Sequence, residues 1–151
     1  MVRKSKLITA PDILPVSTEE MKLWVKQDDD ADDSLIDALI RAGVEMVETY
    51  TGKRLITQTW ARYFDSFPLN GYFYLNNSPI QSITSITYYD AQGDSQTLST
   101  DVYALENQNE DRSRVYLKEN QIFPNTQNQL DSVTVTYVCG FGDASADVPD
   151  T

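Results

Sequence analysis

The chain has no histidine, a single cysteine (Cys139), and only 12 lysines and arginines against 23 aspartates and glutamates in its 151 residues. Each scarcity excludes something. Without histidine the usual proton carrier at neutral pH and the commonest zinc ligand are gone, and no nucleophile–histidine pair can be built. One cysteine forbids an internal disulfide, which fits synthesis in a reducing cytoplasm. The formal charge of −11 leaves too few cations for a broad DNA-binding surface, whereas an acidic wall suits a polyanion that must pass without sticking. No apolar run approaches the roughly eighteen residues of a membrane span. Behind the basic start, Pro11, Asp12 and Pro15 interrupt the apolar stretch before it is long enough for a secretory signal. A soluble, unsecreted protein with no membrane partner is the expectation. A chain of this length with 40% hydrophobic content buries roughly two thirds of its unfolded surface, enough for one cooperative core.

The most sustained pattern that is present runs from Asp30 to Tyr50. Leu35, Ile36, Leu39, Ile40, Gly43, Val47 and Tyr50 recur at three- and four-residue intervals, so they are expected on the buried face of a helix, with Asp37, Arg41, Glu45 and Glu48 opposite. Asp30 or Asp32 is expected to cap its start, and Gly52 to end it in a left-handed turn. Upstream, Ser17 and Glu20 have the spacing of a capping box for a short helix with Met21, Trp24 and Val25 as its apolar side. Residues 1–16 have two prolines and no period and read as an extended N-terminal arm. Asp28, Asp30 and Asp32 have the first spacings of a calcium loop. The sixth position is Asp33 where glycine is needed and the twelfth is Leu39 where a glutamate belongs, so helix capping and a solvated link are the reading and no metal is expected.

After Gly52 the period falls from 3.6 to 2 and β-branched and aromatic residues take over. Strands are expected at Ile56–Asp65, with Pro68–Gly71 turning it into a return strand at Tyr72–Leu75, then at Ser82–Asp90, Gln96–Leu105, Arg114–Lys118 and Asp131–Cys139. In the last, Val133, Val135, Tyr137 and Cys139 alternate with Thr134, Thr136 and Val138. Glu106–Ser113 reads as an exposed loop and Gly140–Gly142 as a turn. The pattern predicts an α+β fold, its N-terminal helical pair packed on or beside a mainly antiparallel β-sheet of five to six short strands. Residues 17–151 form a single domain, with a helical part at 17–51, a β-rich part at 55–142 and a tail at 143–151.

Nothing marks a reactive centre. Lys118 and Glu119 end a strand with no partner that singles them out, and Cys139 reads as a small buried hydrophobe. The nine tyrosines lack the surrounding cations of a nucleic-acid stacking platform and read as core and interface. No catalytic, cofactor-binding or metal residue is expected.

The order of the pieces is informative. A capped helix (STEEMKLWVKQD), an acidic link (DDADD), a long helix running into a tyrosine, threonine, glycine, basic stretch (LIDALIRAGVEMVETYTGKRLITQTW), then SPIQSITSITYYDAQG and VTVTYVCGFGDASADVPD, together resemble the head–tail connector family of tailed bacteriophages. The matching blocks cover most of residues 17–150. The resemblance implies a non-enzymatic neck adaptor, made in the host bacterial cytoplasm. It implies a ring of commonly about twelve copies under the portal protein, which extends the DNA channel and presents a surface to stopper or tail proteins. About twelve copies at −11 make a ring of roughly −132, past which DNA slides. The basic arm and acidic body are complementary between copies, so the expected subunit or partner interface is Arg3, Lys4 and Lys6 with Trp24 and Arg41. In this family the V-P ending leads into a further apolar helix. Either the chain is truncated before it, or this member manages without it. Two other readings use the same charge and sheet: a free-standing acidic module such as a DNA-mimicking inhibitor, and a tail or baseplate component.

Overall fold

The computed structural model describes residues 4–106 and 108–149. Two helices, α1 (Thr18–Val25) and α2 (Asp33–Thr51), follow a first strand, β1 (Ser5–Thr9). Seven more strands come after them: β2 (Gln58–Phe64), β3 (Tyr72–Tyr74), β4 (Ile80–Tyr89), β5 (Ser95–Thr97), β6 (Tyr103–Glu106), β7 (Arg114–Leu117) and β8 (Val133–Cys139). The fold class is α+β as predicted, and its strands form two antiparallel sheets, one of five in the order β1-β2-β8-β4-β5 and one of three in the order β3-β7-β6.

The last long strand lies at the centre. β8 pairs with β2 on one side and β4 on the other, and its predicted alternation holds: Val133, Val135, Tyr137 and Cys139 are all essentially without exposure. The small sheet lies over this one. Phe73 on β3 meets Phe64 on β2 with ring centroids 5.0 Å apart, and Tyr103, Val115 and Leu75 join Ile80, Ile86 and the β8 residues in one core. Burial of apolar area from both sheets is the main cohesive term. The Tyr137 phenol inside this core donates to Asn76 Oδ1 at 2.8 Å, so its one polar group is not orphaned. Burial pushes the Cys139 thiol up to about 12, which makes it an inert core residue as its position on the strand suggested.

Three expectations change here. Pro68–Gly71 does turn, with Gly71 at φ 78°, but β3 does not return beside β2. It pairs with β7, which lays the buried Phe73 over the face of the large sheet against Phe64. The stretch from Gln96 to Leu105 divides into β5 and β6 on different sheets, with Leu98 buried between them. The arm also contributes: Ser5–Thr9 lies antiparallel to β2 as an edge strand, which its lack of alternation concealed because both its faces are largely exposed.

Gly140 ends β8 at φ 120°, and a Cβ there would stand 2.5 Å from the Ile56 carbonyl oxygen. Only glycine lets the two backbones approach so closely. That contact carries Thr57 N–H to the Gly142 carbonyl at 2.9 Å and fixes the chain that leads from α2 into the sheet.

Candidate assembly surface

The helical pair is held by polar contacts at its ends and leaves much of its apolar surface free. At the start of α1 the capping box forms: Glu20 N–H donates to Ser17 Oγ at 3.2 Å, and Ser17 N–H donates to Glu20 Oε2 at 2.8 Å. The acidic link does something other than cap α2. Asp32 occupies the cap position without a side-chain hydrogen bond, while Asp30 and Asp33 hold the buried Lys22 ammonium at 2.5 and 3.0 Å. The lysine stem passes between the helices and its charge ends among carboxylates. Among the described residues no group of three or more His, Cys, Asp or Glu side chains is placed to hold a metal.

These contacts set the acid response of the pair. The Lys22 ammonium holds the Asp30 carboxyl below its usual range, and the Ser17 amide does the same for Glu20. A carboxyl depressed in the folded state contributes stability that is complete above its unfolded pKa, about 4, and is lost as pH falls through the lower folded value. The helical circular dichroism is therefore expected to fall only below about pH 4, and Lys22→Met is expected to remove the part due to Asp30.

At its other end, α2 is tied to the sheet through Glu48. This side chain was expected in solvent; it is instead nearly buried, accepting from Arg54 Nη1 at 2.9 Å and from the Leu55 amide at 2.9 Å. Arg54 also donates to Asn77 Oδ1 at 2.7 and 3.0 Å and lies 4.7 Å over the Trp60 ring. Gly52, at φ 71°, then closes the helix as predicted, its N–H donating to the Glu48 carbonyl at 3.0 Å.

Turning Glu48 inward rotates the whole helix from its expected orientation. Only Ile36 and Ile40 on α2 are buried, and neither belongs to the sheet core. Leu35, Leu39, Met46, Val47 and Tyr50 face solvent, Tyr50 at 91%. On α1, Trp24 at 84% and Leu23 at 80% are equally bare, against the expectation that Trp24 sits on the packed side. α2 thus has an apolar arc wider than one contact can cover: one half meets the rest of the chain, and the other half stays exposed among the described residues. Between the halves runs a groove of about 430 Å³ lined by Gly43 together with Val16, Leu39, Val47, Leu55 and Val148.

The five interface residues expected from sequence divide between two places. Arg3 lies outside the described residues. Lys4 and Lys6 stand exposed at the β1 edge, with Lys4 Nζ 5.6 Å from the Tyr63 ring centroid. Trp24 and Arg41 are on the helical pair, Arg41 binding Asp37 one turn away at 2.9 Å. Leu23 and Met46, both bare, are not singled out by the sequence pattern, and Leu35 and Gly43, expected on the buried face of α2, are exposed, although the width of the apolar arc on α2 is readable from the spacing.

Three solved structures contain a chain of this fold. One is the virion of a native gene transfer agent (GTA) particle, with TM-score 0.80 and 18% identity over 96% of this chain and 75% of that one. Another is the neck of an empty GTA particle computed with C6 symmetry, at TM-score 0.80 and 18% identity over 97% and 75%. The third is the neck of a native GTA particle computed with C12 symmetry, at TM-score 0.73 and 18% identity over 97% and 74%. At that identity the likeness shows the fold. No protein-family model and no curated protein matches the chain.

Proposed function

We propose that this chain is a structural subunit of the neck of a phage-type particle. In this reading it is an adaptor that forms a ring of about twelve copies under the portal protein and joins the head to stopper or tail proteins. The observation that carries the reading is that almost the whole chain shares its fold with chains of GTA virion and neck structures, the necks having been computed with C6 and C12 symmetry. The exposed apolar half of the helical pair supports it, since a repeated neighbour is what such a face needs. The charge of −11 per copy gives the ring a negative lumen through which genome DNA passes without specific binding. The chain acts by shape and repetition and not as an enzyme. Its interface draws on the basic segment with Arg3, Lys4 and Lys6 and on Trp24 and Arg41. It is made in the host bacterial cytoplasm and works at the head–tail junction.

Cryo-electron microscopy of the particle that carries this chain tests the proposal. A ring of this fold around the exit channel is the expected result. Density for the chain elsewhere in the particle, or a particle neck without it, overturns the reading.

A further inference from the structure

Gly43 lies in the middle of α2, where glycine weakens a helix and no described neighbour requires it. A glycine in mid-helix destabilises relative to alanine because it loses more backbone freedom on folding, and a Cβ at this position would meet no described atom within 4 Å. Among the described residues, therefore, no contact calls for glycine at this site. It lines the apolar groove beside α2, where a missing side chain lets something from outside approach the helix backbone.

The β1 edge carries a matching projection. Leu7 pairs with Trp60 and Thr9 with Thr59, which leaves Ile8 as an extra residue without a cross-strand partner. Such a bulge blocks the addition of another strand and turns its side chain outward. Ile8 is half exposed, and Lys4 and Lys6 flank it in solvent. The helical pair that walls the groove has the opposite charge: residues 17–52 contain ten carboxylates and three cations, of which Lys22 and Arg41 are already paired. Leu130, another bare apolar tip, adjoins Asp131 and would be repelled there.

We infer that the occupant of the Gly43 groove is a second copy of this chain, whose bulged Ile8 inserts over Gly43 while its Lys4 and Lys6 meet the carboxylates of the helical pair. Knob and groove lie on different parts of the surface, so the contact is heterologous and propagates from copy to copy, closing where the rotation allows. This inference deepens the ring reading and rests on it for its geometry.

Disulfide trapping tests it, since a bridge forms only where two Cα atoms come within about 4.4–6.8 Å and native Cys139 is buried. Purified full chains carrying Ile8→Cys and Gly43→Cys separately are mixed and oxidised, so that a link between the two can only join different copies. The expected result is a linked heterodimer, and a ladder of higher species from the double variant. Ile8→Cys mixed with Leu130→Cys should give neither. Adding Lys4→Glu and Lys6→Glu to the Ile8→Cys chain should slow linking about tenfold at low salt. No heterodimer, or one no more abundant than with the Leu130 control, overturns the inference. A neck ring seen by microscopy without this link would refute the groove contact alone; the link without neck density would refute the location alone.

Discussion

Shortening Ile86 to alanine is expected to remove about 2–5 kcal/mol of stability, a large part of the 5–15 kcal/mol typical of a domain. Ile86 is wholly buried on β4, opposite Val135 of the central strand, in the core shared by both sheets. Its removed atoms lose their transfer free energy and leave a void that close-packed neighbours fill only in part. The Ile86 carbonyl also accepts from Leu98 N–H at 2.8 Å, where the chain leaves β5. A packing defect at this residue therefore reaches both strands. Urea unfolding should show a lower midpoint with an unchanged slope. An unchanged midpoint would mean that the two sheets do not share this core.

The second expected result separates adjacent residues of α2. Ile40→Asp is expected to unfold the helical pair, because position 40 is 4% exposed and an unpaired carboxylate there has no water or cation to replace its hydration. Leu39→Asp is expected to leave folding within about 0.5 kcal/mol, the range of most surface changes, because Leu39 is 61% exposed. Its effect should appear in assembly: Leu39 walls the Gly43 groove, so the variant is expected to fold as a monomer and fail to enter the proposed ring. Thermal melting of both variants and incorporation of Leu39→Asp into particles provide the measurements. Equal melting of the two would return the helix to the orientation its periodicity suggested. Normal incorporation of the Leu39 variant would remove this face from the interface.

That contrast shows where a linear reading stops. The periodicity of α2 identifies a helix but not which part of a wide apolar arc is covered, because Leu35, Ile36, Leu39 and Ile40 are equally suited to burial. Glu48 settles the rotation: Arg54, Leu55 and Gln58 arrive from the following segment and hold its carboxylate inside. Trp24 illustrates the same limit. Its type favours burial, yet Lys22 occupies the packed side of α1 because Asp30 and Asp33 lie across from it.

The elements whose causes lie within a few residues are legible in the linear order of residues. The capping box of Ser17 and Glu20, the stop at Gly52 and the two-residue alternation of β8 each follow from local hydrogen bonding or from the direction of successive side chains. That order also shows what the chain lacks, since no fold can supply a histidine or a second cysteine. The pairing of β3 with β7, the place of Ser5–Thr9 at the sheet edge and the bare half of the helical surface emerge from contacts between distant segments. The reason is distance along the chain. Ser5 and Arg62, or Asn76 and Tyr137, meet because burying the whole set of apolar residues at once favours one arrangement, and no local stretch contains that competition.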